Sequence, residues 1–364
     1  MYNQEDASVS AQLALRDGFR RLESLSIPVF LVHGNHDPLA SRLRSVRWPG
    51  NVTVFGELPD AVPVFRKGEG TPLAIIHGAS HASGRETRNL AALFRRTEAC
   101  GLHVGLLHAT PGDADGVARY APFSQGDLKA SGMDYWALGH IHDRREVCRE
   151  PLAAYPGCTQ GLHINEPGEK GCLLVTAEAR PDGGYAVRTS FRPLGPAVWK
   201  TLDMDLGGAA SLDELENRLR TGLDRAAAEV WSGCEMLLVR LRLQGRTELD
   251  GLLRKGTTCA ELADRLREDG SGVPRIWIKD IDVATRPCVE RGALLEREDL
   301  LGEVFRLSEA ARTASGLQAL REGPLAPLFA HARAGKALEP LTDEELARLL
   351  DDAESLCLDL LEND

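Results

Sequence analysis

Three short motifs put metal-binding side chains directly after apolar runs. Gly34-Asn35-His36-Asp37 follows Val29-Phe30-Leu31-Val32, His108 follows Val104-Gly105-Leu106-Leu107, and Gly139-His140-Ile141-His142 follows Tyr135-Trp136-Ala137-Leu138. In open α/β sheets, ligands collect at the carboxyl ends of strands. An amide oxygen and several imidazoles gathered at such ends make a divalent metal centre, and this donor set suits Mn, Fe or Zn better than Ca. A centre of this kind also needs carboxylate ligands, and the part of the chain that should supply them is expected to be missing.

The elements that must position these residues can be read from the apolar spacing. Leu13, Leu15, Phe19, Leu22 and Leu25 predict a helix over residues 9–25, and Pro28 opens the strand leading to Asn35. A second strand, Leu73 to Ile76, ends at His77-Gly78. A helix is predicted from about Arg85 to Ala99, before the strand that ends at His108. Residues 111–130 are polar and Gly-rich, and they return the chain to the strand before His140. Shorter strands follow at 152–155, 171–177 and 185–192. Strands at both ends with helices between them predict a layered α/β sandwich.

Past Gly195-Pro196 the pattern changes. A strand at 199–205, a helix capped by Ser211 with Glu214 three residues on, an alternating strand from Met236 to Leu243, a helix at 259–268 and a strand from Arg275 to Val283 give a small β-α-β-α-β domain. From about residue 298 the chain is helical, and Thr342-x-x-Glu345 caps a last leucine-rich helix. The predicted division is 1–195, 196–300 and 301–364.

The chain has 364 residues, which suits two or three domains, and its 43% hydrophobic and 27% charged residues are those of an ordinary globular protein. A net charge of -11 excludes a surface that attracts nucleic acid as a whole, so any DNA contact is local or through metal. The eight cysteines include no C-x-x-C pair, which argues against a zinc knuckle or a disulfide framework and for reduced thiols. No apolar run reaches the roughly 18 residues of a membrane span, and no export signal is visible, so a cytoplasmic location is expected.

The motifs Asn35-His36-Asp37, Leu107-His108-Ala109-Thr110 and Gly139-His140-Ile141-His142, in this order, resemble those of the calcineurin-like metallophosphoesterases. The run from Asp134 to His142, followed by Tyr155-Pro156-Gly157-Cys158-Thr159-Gln160-Gly161, is similar to the bacterial DNA-repair exonucleases of the SbcD and YhaO type. The resemblance is strong through about residue 195 and weaker beyond. It implies the α-β-β-α sandwich of that family, a smaller α/β capping domain and C-terminal helices. It implies two divalent ions, manganese first, with iron or zinc possible. Asn35, His108 and His140 would bind one ion and His142 the other. His36 would act on the leaving oxygen, and Asp37 would orient His36, as carboxylates commonly orient imidazoles. Two ions about 3.5–4 Å apart can clamp a phosphate and activate a water for in-line attack. The resemblance also implies DNA as substrate, an SbcC-like ATPase partner and a possible homodimer, and no membrane.

The family opens with Asp-x-His and Gly-Asp motifs, and the second Asp bridges both ions. This chain has neither, and Met1-Tyr2-Asn3-Gln4-Glu5-Asp6 resembles the residues directly after the Gly-Asp. The expectation is therefore a sequence lacking its first strands, on the order of 30 residues or more. Neutral ligands alone compensate the repulsion of two dications poorly. The sequence as written is expected to bind at most one ion weakly, with little or no nuclease activity. Glu5 and Asp6 are remote candidates for local substitutes.

Among the remaining candidates, His81 and Arg85 are read as substrate contacts, and Arg144 and Arg145 as contacts to a DNA backbone. The predicted helix offers Arg85, Arg88, Arg95 and Arg96 as a basic face, with a solvated face as the alternative. His33 and His77 are read as structural, Asp127 and Asp134 as loop and capping residues, and Cys158 as a small buried thiol. Two other functions stay open at this point: a phosphatase or phosphodiesterase of small substrates, and a non-catalytic DNA-binding or scaffold subunit.

Overall fold

Parallel pairing of successive apolar strands organises the part of the chain that carries the three motifs. A computed structural model describes residues 9–40, 46–112, 119–181, 183–268, 272–288, 291–331 and 341–361. Glu5 and Asp6 lie outside them. The chain opens with α1 (Val9–Ser24), β1 (Val29–Leu31), β2 (Val52–Val54), β3 (Asp60–Phe65) and β4 (Pro72–Ala79). It continues through β5 (Leu102–His108), α2 (Gln125–Ala130), β6 (Tyr135–Gly139), β7 (Arg145–Arg149) and β8 (Leu152–Tyr155). β1 and β2 form a parallel pair. The other strands make a six-stranded mixed sheet in the order β3-β4-β5-β6-β8-β7, in which β4, β5, β6 and β8 run parallel. β3 and β7 close its edges antiparallel.

The interior of this sheet is apolar because its strands are covered. Leu107, Trp136, Leu138, Ala153 and Tyr155 are buried together with Leu90, Ala91 and Phe94. Phe94 packs on Trp136 at a ring distance of 4.8 Å. Gly105 allows that indole to lie against β5, since a Cβ there would fall 2.6 Å from it. The helix predicted from Arg85 to Ala99 does not form; only Ala91–Leu93 make a single 3-10 turn. Side chains take the backbone groups a helix would use. Glu86 accepts from the N–H of Arg88 at 3.0 Å, and Asn89 accepts from that of Ala92 at 3.1 Å. The apolar residues at 90, 91 and 94 fill the core from an irregular segment instead. On α1 the buried residues are Gln12 and Phe19, whereas Leu13 and Leu25 face outward.

β9 (Gly171–Ala179) and β10 (Tyr185–Pro193) form an antiparallel ribbon. Next come β11 (Ala197–Asp205), α3 (Leu212–Ala228), β12 (Met236–Thr247), α4 (Asp250–Leu253), α5 (Thr258–Glu268) and β13 (Arg275–Pro287). The strands pair in the order β11-β12-β13. Ser211 caps α3 as its sequence implies, accepting from Glu214 N–H at 3.2 Å, while the Glu214 carboxylate reaches back to Ala210 N–H. The helices α6 (Arg291–Leu295), α7 (Leu300–Ala311), α8 (Ala314–Glu322), α9 (Ala326–Ala330) and α10 (Asp343–Leu361) complete the described chain. Thr342 and Glu345 cap α10 reciprocally.

The chain divides into two compact units that interleave along the sequence. One comprises residues 1–204, 216–243 and 256–283, and the other 205–215, 244–255 and 284–364. The second has its own apolar cluster of Leu294, Leu301, Phe305 and Leu358. Beside it, the buried Glu354 accepts from Arg291 at 2.8 Å and Arg312 at 3.2 Å. Among the described residues, no helix is long and apolar enough to cross a membrane.

Candidate metal centre

Sheet register brings two of the three motifs together. His108 is the last residue of β5 and pairs with Gly139, the last of β6, so His140 follows immediately beside it. The chain turns there in an unusual way: His140 has φ 107°, a left-handed conformation that side chains seldom adopt and that costs on the order of 1–3 kcal/mol. The turn sets its ring 5.1 Å from that of His108 and 5.3 Å from that of Tyr120.

The first motif arrives from β1 by a different route. His33 N–H donates to Ser80 Oγ at 3.0 Å, and His81 N–H donates to His33 O at 3.0 Å, so the loop after β1 is fastened to the end of β4. Gly34 then lies on the His108 ring; a Cβ at Gly34 would fall 2.6 Å from it. Asn35 Oδ1 ends 2.8 Å from His108 Nε2. Two adjacent ligands, each about 2.1 Å from one ion, stand roughly 3 Å apart. The amide oxygen and the imidazole nitrogen already have that separation. Burial pushes His108 down to about 3, with the neighbouring imidazoles His81 and His140 adding to the effect, so it is the neutral ligand form at physiological pH. The Asn35 and His108 donors thus have the spacing of ligands to one divalent ion, with the His140 ring beside them, and none of the three is anionic.

His81 has a different place from the substrate contact expected of it. Its side chain is fully buried, so it cannot meet substrate. Its Nε2–H donates to the carbonyl of His108 at 2.6 Å, holding the strand end that presents the ligand. Asp37 is not on His36 either. It accepts from Gly34 N–H at 2.8 Å and lies 3.5 Å from His33 Nδ1, which shapes the loop carrying Asn35. Burial alone would raise the Asp37 carboxyl, but the His33 imidazole and the Gly34 N–H outweigh it and hold it below its ordinary value. His36 is exposed on that loop.

His142 is exposed and points elsewhere from the Asn35–His108 pair: its Nδ1 contacts Glu166 Oε1 at 2.6 Å. Glu166 is buried, and its other oxygen accepts from Leu162 N–H at 2.9 Å. Burial would raise this carboxyl, but the bonds from His142 and Leu162 keep it below the ordinary range. His142, Cys158 and Glu166 each offer a ligand atom within 4.8 Å of the others. Sequence reading missed Glu166 because it stands alone in a turn, Asn165-Glu166-Pro167-Gly168, with no partner at a recognisable spacing.

The basic residues divide sharply. Arg88 is held by the buried Glu86 at 2.7 and 2.8 Å, and Arg96 by Asp134 at 2.9 Å. With no helix under them, these arginines share no face. Arg85 is exposed. Arg144 stacks over the Phe191 ring at 4.0 Å, and Arg145 lies over that of Tyr155 at 5.7 Å. On β12, Arg240 binds Asp280 at 2.6 Å, and Arg242 lies between Asp203 and Asp282 at about 3.5 Å. Asp127 closes a capping box with Ser124 on α2.

Comparison with known proteins identifies the family. Residues 6–144 match the model of the calcineurin-like phosphoesterase family, and residues 199–286 match that of the middle domain of metallophosphoesterase YhaO. The chain is 32% identical over 330 residues to a protein of Bacillus subtilis (strain 168) described as uncharacterized metallophosphoesterase YhaO. That alignment covers 89% of this chain and 77% of the relative.

Proposed function

The chain belongs to the calcineurin-like metallophosphoesterases, whose members hydrolyse phosphoesters with divalent metal, and we propose that its substrate is DNA, cleaved as an exonuclease. The observation that carries the reading is the Asn35 Oδ1 and His108 Nε2 pair, 2.8 Å apart beside the strained His140 at the ends of adjacent parallel strands. Asn35, His108 and His140 would hold one ion, and His142 belongs to a second position. Bound ions would supply Lewis-acid stabilisation of the phosphate and an activated water. Manganese is the proposed metal, since an amide oxygen with imidazoles is a borderline donor set.

The protein's own residues do the positioning. Gly34 and the Asp37 contacts shape the loop so that Asn35 faces His108 and His36 stays exposed. From there His36 would protonate the leaving oxygen, with no covalent intermediate on the protein. Arg144 and Arg145 lie just past His142 in the sequence and would meet the DNA backbone. We expect turnover by this chain alone to be slow, because the Asn35–His108–His140 set brings no negative charge. A role in DNA repair beside an ATPase subunit, in the cytoplasm, completes the proposal.

One observation favours a second reading, hydrolysis of small phosphoesters. Arg88, Arg96, Arg240 and Arg242 are all engaged by carboxylates, which withdraws these four cations from a polyanion. The test is incubation with Mn2+ and either end-labelled duplex DNA or bis-p-nitrophenyl phosphate. Slow nucleotide release from DNA that His108→Ala abolishes is the expected result. Hydrolysis of the small ester with intact DNA would select the second reading. Hydrolysis of neither would leave a non-catalytic scaffold and overturn the proposal.

A further inference from the structure

His142, from the loop after β6, and Cys158 and Glu166, both from the loop between β8 and β9, bring a nitrogen, a sulfur and an oxygen donor to within 4.8 Å of one another. The approach of these loops is built into the backbone. Cys158 N–H donates to His142 O at 3.2 Å. Gly157 has φ +82°, and a Cβ there would lie 2.7 Å from His142 O, so only glycine lets the two loops come this close. Gly161 likewise lies against the Glu166 carbonyl, where a Cβ would fall at 2.6 Å. Cys158 is a free cysteine, partly buried. The Glu166 carboxylate is only 8% exposed, and its described partners are two imidazoles and one backbone N–H, with His163 Nε2 3.7 Å away. The nearby ammonium, Lys170, lies 3.7 Å from Asp143.

We propose that His142, Cys158 and Glu166 are the protein ligands of one divalent ion of the Zn2+ class, with a fourth position open to water or a phosphate oxygen. Imidazole, thiolate and carboxylate are the three donor types that Zn2+ takes, and three protein ligands with an open position are the pattern of a catalytic site. A thiolate shifts preference toward zinc and away from Mg or Ca. As ligands of a bound ion, Cys158 and Glu166 would also bring the two negative charges that the Asn35–His108–His140 set lacks. The inference deepens the proposed phosphoesterase site through His142, but binding of the ion does not depend on what the site hydrolyses.

Titration of the full chain with Co2+, a spectroscopic substitute for zinc, tests this directly. The expected result is a near-ultraviolet sulfur-to-cobalt charge-transfer band at one equivalent, lost in Cys158→Ser. Competition by Zn2+ removes the band, and Glu166→Gln weakens affinity tenfold or more. His108→Ala, which disrupts the other site, keeps the band. Circular dichroism on each variant confirms that it is folded. The proposal is overturned if native protein gives no band, or if Cys158→Ser keeps both band and affinity. A band without phosphodiester hydrolysis sinks the functional reading and leaves this one standing. Hydrolysis without a band does the reverse.

Discussion

Two buried histidines away from the metal donors show how single side chains set the response of this protein to acid. His77 and His103 lie on one face of the sheet, with His77 Nε2 2.9 Å from His103 Nδ1. His103 Nε2–H donates to the Ala99 carbonyl at 2.9 Å, so its Nδ1 is the acceptor and His77 Nε2–H is the donor. This assignment holds for neutral rings, the form that burial favours in both. Burial first, then repulsion from His103 once it too is protonated and from the Arg96 guanidinium, pushes His77 down to about 4 from 6.5. A folded value below the unfolded one means full stability above about pH 6.5 and loss as pH falls toward 4. The loss attributable to His77 is up to about 3 kcal/mol. Urea unfolding from pH 7 to pH 4 should show it, and His77→Phe should flatten the dependence. At this scale the convergence of Asn35, His108 and His140 was legible because Asn-His and His-x-His are rare pairings placed at strand ends. The place of His81 was not legible. Its neighbours in sequence say nothing of whether the ring meets solvent or turns under His108, and the β4–β5 pairing decides that.

Elements place the donors with little slack. The loop after β1 reaches His108 only because position 34 has no side chain. Gly34→Ala should displace the ring or the loop, costing about 1–3 kcal/mol of stability as an overpacked site. It should also weaken Mn2+ binding tenfold or more; calorimetric titration beside thermal unfolding separates the two effects. The strands bearing motifs were readable from their apolar runs, as were α5 and α10 from periodicity and capping. β2, β3 and β7 were not. β2 has three residues, β3 contains Pro63, which an edge strand tolerates, and β7 reads as a charged patch, Arg145-Glu146-Val147-Cys148-Arg149. The helix expected over Arg85 to Ala99 failed for the opposite reason. Leu90, Ala91 and Phe94 have helical spacing, but Glu86 and Asn89 take the backbone donors.

Over the whole molecule, the charge balance restricts how DNA could be held. The net charge of -11 opposes nonspecific attraction, and the arginines of β12 are matched by Asp203, Asp280 and Asp282. Arg144 and Arg145 rest on aromatic rings instead of carboxylates. Replacing both with alanine should lower the slope of log affinity for DNA against log salt by about 2, roughly one per phosphate contact. Arg240→Ala with Arg242→Ala should leave that slope unchanged in the same titration. Composition showed that any such contact must be local, but only the folded chain shows which arginines carboxylates have taken.

Equilibrium Mn2+ binding to four proteins tests most directly whether Asn35 and His108 hold one ion: native, Asn35→Ala, His108→Ala and the double variant. Ligands on a common ion are coupled, so each single change should remove most of the affinity and the double change should add little. Native-like binding in both single variants, or strictly additive losses in the double, would contradict a shared ion.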